Sequence, residues 1–129
     1  MRIEHVAIWT DDIEGLAHFY SRYFGAVACA PYRNEAKGFE SRFLSFESGA
    51  RIELMRTTRL APARVDPGTE RMGLTHLALS VGSMERVDAL VEQLKSEGVP
   101  VIDGPRRTGD GYYEAVILDP DGNRIEVTA

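Results

Sequence analysis

Two of the three histidines in this 129-residue chain sit in strings that occur twice. His5-Val6-Ala7-Ile8 returns as His76-Leu77-Ala78-Leu79, and Arg51-Ile52-Glu53-Leu54 returns as Arg124-Ile125-Glu126-Val127. The order is His then Glu each time, with offsets of 71 between the histidines and 73 between the glutamates, so a unit of about half the chain is written twice. Two imidazole nitrogens and two carboxylates suit a borderline divalent transition ion that keeps positions open for substrate, with ligand distances near ~2 Å. A lone strand histidine is usually a hydrogen-bonded structural residue, and a lone strand glutamate usually faces water. The same residue types at equivalent positions of two half-copies make His5, Glu53, His76 and Glu126 candidate ligands of one metal.

The elements that must position these four follow from periodicity. Residues 2–9 alternate as a strand, with Ile3, His5, Ala7 and Trp9 on one face and Glu4, Val6 and Ile8 on the other. Asp11 and Asp12 signal a helix start, and Ile13, Leu16, Ala17, Tyr20, Tyr23 and Phe24 recur at helical spacing until Gly25. His18 falls off that stripe and reads as a solvated helix residue. Strands are expected at 26–32, 40–46 and 50–55, the last two joined by a Ser48-Gly49 turn, with residues 33–38 as a hairpin connection or a mobile loop. Residues 57–73 have neither period and carry Pro62, Pro67 and Gly68, so they read as a linker between module 1 (1–56) and module 2 (74–129) of a single domain.

The second module repeats the plan. A strand at 74–81 leads to a Ser83-capped helix with the stripe Met84, Val87, Leu90, Val91 and Leu94, ending at Gly98. Strands at 99–102, 112–118 and 123–128 follow, separated by a loop at 104–111 and an Asp119-Pro120-Asp121-Gly122 turn. Helix starts align at offset 71, whereas Gly25 with Gly98 and Gly49 with Gly122 align at 73, so two residues enter late in the second helix or at its end. The expectation is an α+β fold of two βαβββ modules. One helix covers only one face of each sheet, and the other, carrying the His and Glu residues, must line a cleft or meet a partner.

Composition bounds the rest. A chain with 43% hydrophobic residues can bury a real core, and a net charge of −5 with no run of Lys or Arg argues against nucleic-acid or membrane-surface partners. Cys29 alone cannot form an internal disulfide and reads as a buried, inert thiol; with no signal-like or membrane-spanning stretch, the cytoplasm is the expected location. Neither a Gly-x-Ser-x-Gly elbow nor a phosphate-cradling glycine loop is present, which leaves acyl transfer and nucleotide chemistry without support. Arg106 and Arg107, beside Gly109 and Gly111, read either as a lid gripping an anion or as a solvated loop. Trp9, Ala7, Ala78 and Ser80 share the histidine faces and are expected to line the pocket, with Trp9 reading equally as an interface anchor.

On His5, Glu53 in Arg-Ile-Glu-Leu, His76, and Glu126 following Asp-Pro-Asp-Gly-Asn-Arg-Ile, the chain resembles the vicinal oxygen chelate superfamily of glyoxalases, bleomycin-resistance proteins and dioxygenases. Along essentially its whole length it is most similar to the small bacterial glyoxalase I (lactoylglutathione lyase) type. The resemblance implies paired βαβββ modules, commonly in a homodimer whose metal site lies between modules of two subunits. It implies one divalent ion, Ni²⁺ or Zn²⁺, with Co²⁺, Mn²⁺ and Fe²⁺ as alternatives. A metal bound to two adjacent oxygens stabilises an enediolate, so a carboxylate can move a proton alpha to a carbonyl.

By the same resemblance Glu126 is the base and Glu53 its partner, the substrate is the hemithioacetal of glutathione and methylglyoxal, and the product is lactoylglutathione. Two positions depart from that pattern. Trp9 stands where glyoxalase I usually places an Arg for the glutathione carboxylate, and Thr57 stands where an Asn is usual. A neutral aromatic does not replace a bidentate cation, so the substrate stays open between a glutathione adduct and another small carbonyl compound touching Trp9, Thr57, Arg106 or Arg107. Extradiol dioxygenases and fosfomycin-resistance enzymes resemble the chain with one carboxylate, and methylmalonyl-CoA epimerases usually have Gln at the position of Glu53. Bleomycin-resistance proteins, the metal-free alternative, generally lack the four ligands.

Overall fold

The computed structural model describes residues 1–61, 69, 70 and 72–129. The chain divides into two compact units, Met1–Ala63 and Arg64–Ala129. Of the expected linker at 57–73, Thr57 instead closes a strand, and residues 62–68 and 71 lie outside the described residues.

Unit 1 runs β1 (His5–Trp9), α1 (Ile13–Phe24), β2 (Val27–Ala28), β3 (Tyr32–Asn34), a 3₁₀ turn (Glu35–Lys37), β4 (Phe39–Ser45) and β5 (Arg51–Thr57). Its sheet has the order β1-β5-β4, with β2 and β3 both paired along β4. Asp12 caps α1 by accepting a hydrogen bond from the Gly15 amide (2.9 Å), and Gly25 ends it in the left-handed conformation (φ 66°). The apolar stripe lands as spacing demands. Leu16, Ala17 and Tyr20 are buried against Leu44, Ile52 and Leu54, and Phe19 joins them because Tyr20, Tyr23 and Phe24 close around its ring.

Unit 2 repeats this as β6 (Leu77–Ser80), α2 (Met84–Ser96), β7 (Val101–Arg107), β8 (Tyr113–Leu118) and β9 (Arg124–Thr128), with sheet order β6-β9-β8-β7. Val87, Val91 and Leu94 of α2 cover Ala115, Ile117, Ile125 and Val127, and every one of these seven is at most 1% exposed. The two residues gained in the second copy are one more helical position and Glu97 ahead of Gly98 (φ 79°).

Three local expectations are corrected. The strand expected at 26–32 is broken in two, because Pro31 has no N–H to donate to β4, and Arg33 and Asn34 belong to β3 rather than to the hairpin connection. Cys29 sits at that break and is exposed, so it is not a buried thiol. In unit 2 the strand expected to stop at Ile102 continues to Arg107, which places Arg106 and Arg107 in a strand rather than a loop. The pairing of β7 with β8 shifts register either side of Asp103. Gly104 (φ 79°) makes this bulge feasible, since a Cβ there would stand 2.6 Å from the Glu114 carbonyl oxygen.

The β8–β9 hairpin fixes the last candidate ligand. Asp119, 4% exposed, accepts from the Asp121 and Asn123 amides (3.0 and 2.8 Å) and from Asn123 Nδ2 (2.9 Å), while Gly122 (φ 80°) completes the turn. The turn sets the register in which Val116 faces Glu126. Asp119→Ala orphans two amides and is expected to destabilise the protein by about 2–3 kcal/mol, read as a lowered urea midpoint at unchanged slope.

Candidate metal centre

In each unit the first and last strands are neighbours and parallel. β1 pairs with β5 so that Ala7 faces Glu53, and β6 pairs with β9 so that Ala78 faces Glu126. Side chains alternate along a strand, so His5 lies one pleat before Ala7 on the face of Glu53. His76, immediately ahead of β6, stands in the same relation to Ala78 and Glu126. The alanine methyls leave each glutamate room to lean back to its histidine. The opposite face holds Ile52, Leu54, Ile125 and Val127, at most 3% exposed.

The tips meet accordingly. His5 Nε2 is 3.7 Å from Glu53 Oε2, and His76 Nε2 is 3.2 Å from Glu126 Oε2. The histidine side chains are 39% and 41% exposed and the glutamates 16% and 17%, so the imidazoles reach solvent while the carboxylates are sheltered. Two donors on one ion at about 2.0–2.2 Å, held about 90–110° apart, are about 2.8–3.6 Å from each other. One pair falls within that span and the other lies about a tenth of an ångström beyond it, so the donor set fits a transition metal. Among the described residues no group of three or more His, Cys, Asp or Glu side chains is gathered to hold an ion, and each His–Glu pair by itself offers two donors.

The family model of the Glyoxalase/Bleomycin resistance protein/Dioxygenase superfamily matches residues 2–127. The chain belongs to this superfamily. The fold is also that of solved structures named as glyoxalases. A glyoxalase family protein from Enterococcus faecalis is 26% identical, with a TM-score of 0.77 over 99% of this chain and 97% of that one. A trypanothione-dependent glyoxalase I of Leishmania major is 22% identical, with a TM-score of 0.77 over 99% and 86%. Glyoxalase I of Zea mays is 24% identical, with a TM-score of 0.78 over 98% of this chain and 44% of that one, so this chain spans less than half the length of the maize enzyme.

Within this superfamily member the remaining candidates separate. Trp9, 49% exposed, stands on the His5 face with its ring perpendicular to Phe39 (6.4 Å between centroids). Thr57 is opposite Phe39 in the β4–β5 ladder and shares that face. Arg106 and Arg107 point to opposite faces of the unit 2 sheet. Arg106 reaches Asp103 (2.7 Å) and Glu114 (3.6 Å) on the His76–Glu126 face, whereas Arg107 turns to Met84 of α2 (3.0 Å to Sδ). His18 is exposed on α1, away from the buried stripe.

Two acidic residues join the site that periodicity did not single out. Glu4, just ahead of β1, is bonded to His5 Nδ1 and to Arg51, and the His5 bond first and the Arg51 bond second hold its carboxyl below the usual value. The only sequence signal was its adjacency to His5, since alternation assigns residue 4 to the other face. Glu114, 8% exposed, sits beside Glu126. Burial, then the hydrogen bond and charge of Glu126, push its carboxyl above the usual value, with Arg106 opposing. Its repeat counterpart is Ser41, so no repeated string marked it.

A raised carboxyl favours the folded state while protonated, and that contribution is lost as pH rises through the folded-state pKa. In chelator-stripped protein, Glu114→Gln is expected to raise Tm over wild type at pH 8 and to leave it unchanged near pH 4. Equal melting temperatures across the range would remove the carboxyl pair from the account.

Proposed function

We propose that this chain is a metal-dependent enzyme of the glyoxalase I type, an isomerising lyase that moves a proton between adjacent carbons of a small carbonyl compound. The observation that supports it is the repeated register, Ala7 against Glu53 and Ala78 against Glu126, with each histidine tip turned to its glutamate. The two pairs together would supply four protein ligands to one divalent ion, Ni²⁺ or Zn²⁺ first, with Co²⁺, Mn²⁺ and Fe²⁺ as alternatives. When bound, the ion supplies Lewis-acid polarisation of two adjacent substrate oxygens.

The chain's own residues carry the proton. Glu126 takes it from the carbon alpha to the carbonyl and returns it to the neighbouring carbon, so atoms and electrons balance without an oxidant. Glu126 is sheltered, its side chain 17% exposed, and stands beside Glu114 and within the field of Arg106. Glu53 is the partner carboxylate. Trp9, Thr57 and Arg106 line the faces that meet the substrate; Arg107, turned to α2, is left out. Trp9 brings no cation for a glutathione carboxylate, which favours a small carbonyl substrate over the glutathione adduct. We expect a cytoplasmic homodimer with the metal site shared between subunits.

Chelator-stripped protein titrated with Zn²⁺ and with Ni²⁺ should bind one ion per chain more tightly than about 1 µM, or about −8 kcal/mol. His76→Ala should weaken that by at least 100-fold, and Glu126→Gln should abolish the turnover that wild type shows across a panel of small 2-oxoaldehydes and hydroxy ketones, with the methylglyoxal–glutathione hemithioacetal included for comparison. No binding of any of these ions would overturn the proposal. Retained metal without turnover would move the reaction to another of the superfamily's chemistries.

A further inference from the structure

His5 is held on more sides than its repeat counterpart. Its Nδ1–H donates to Glu4 Oε2, and Glu4 Oε1 accepts from Arg51 Nη2. The Arg51 guanidinium lies over the Phe43 ring, 4.2 Å from its centroid, and the edge of the His5 ring meets the same aromatic at 5.4 Å and 87°. Arg51 is also the ladder partner of His5 in the β1–β5 pair, so the backbone brings the guanidinium beside the ring it steadies through Glu4. In unit 2 the matching positions are Thr75, Arg124 and Val116, which offer neither a carboxylate nor a ring, and the one polar partner of His76 among the described residues is Glu126.

We infer that Glu4, anchored by Arg51, is a positioning residue that fixes His5 as the Nδ1–H tautomer with the bare Nε2 turned to Glu53, forming the metal half-site of unit 1 in advance. A carboxylate can only accept, so the proton of this bond belongs to Nδ1, which leaves the Nε2 lone pair outward. That lone pair and Glu53 Oε2 are two acceptors facing each other at 3.7 Å, an arrangement that a cation between them satisfies. Histidine ligands whose other nitrogen is bonded to a carboxylate hold metal about 10–100-fold more tightly than those without. The two histidines therefore differ before the metal arrives: by the same rule His76, whose carboxylate neighbour faces Nε2 at 3.2 Å, carries its proton on Nε2 and must move it to coordinate, whereas His5 does not. The inference rests on the metal reading for its consequence, but the tautomer is a property of the metal-free protein.

The test is ¹⁵N chemical shifts of the histidine rings in chelator-stripped protein at pH 8, together with Zn²⁺ affinity by chelator competition. Wild type should show His5 as one Nδ1–H tautomer and His76 with its proton on Nε2. Glu4→Ala should turn His5 into a mixture and weaken Zn²⁺ about 10–100-fold. Glu4→Gln, whose side-chain carbonyl still accepts from Nδ1–H, should keep the tautomer and recover most of the affinity. Glu4 is an exposed surface residue, so both variants should fold, and melting curves check that. A Glu4→Ala protein with an unchanged His5 tautomer, or with Zn²⁺ affinity within twofold of wild type, overturns the inference. If wild type binds no Zn²⁺ the proposed function fails, while the tautomer comparison still decides whether Glu4 positions His5.

Discussion

Parallel pairing between the first and last strands of each unit is the constraint on which the site depends. A βαβββ unit could place its first strand at either edge of the antiparallel strands, and only pairing with the last one brings a residue near the N-terminus of the unit beside one near its end. In both units the ladder settles with alanine opposite glutamate, and the one-pleat step back to histidine follows from strand geometry alone. The buried aliphatic rows beneath, Ile52 with Leu54 and Ile125 with Val127, hold that register, because a slip by one residue would turn every side chain to the wrong face.

On this common frame the two exposed faces have diverged. Beyond its His–Glu pair, unit 1 presents rings, with Trp9, Phe39 and Tyr32 at successive centroid distances of 6.4 and 6.3 Å. Unit 2 presents charge, with Glu114, Arg106 and Asp103 around Glu126, and the buried Thr128 hydroxyl, which has no hydrogen-bond partner among the described residues. The first face suits an apolar or aromatic portion of a ligand. The second holds Glu114, whose carboxyl is pushed above the usual value by burial and by the neighbouring Glu126.

Much of this was legible in the sequence, and the failures have physical causes. Repetition and alternation placed His5, Glu53, His76 and Glu126 on the non-core faces, since burial of aliphatic neighbours leaves an intervening polar residue no other side. The glycine stops were equally readable, and so were the helix stripes apart from Met84, which is exposed at the start of α2. Glu4 was not, because alternation holds only inside a strand and β1 begins at His5. Glu114 was not, and Arg106 was singled out only as a loop residue, because their contact needs the bulge at Gly104, and a glycine beside a proline reads as a loop from sequence alone. Cys29 looked apolar in context, yet the break before Pro31 leaves it exposed. Arg107 parted from Arg106 once the loop became a strand, where neighbours must face opposite ways.

We propose that both His–Glu pairs serve a single ion, and X-ray absorption of the Zn²⁺-loaded protein, at one equivalent of zinc per chain, is the decisive measurement. The account predicts a zinc shell with two imidazoles and two carboxylate oxygens at about 2.0–2.2 Å, losing one imidazole in His5→Ala and the other in His76→Ala. A shell with only one imidazole in the wild type, or two zinc ions bound per chain with one histidine each, would contradict it.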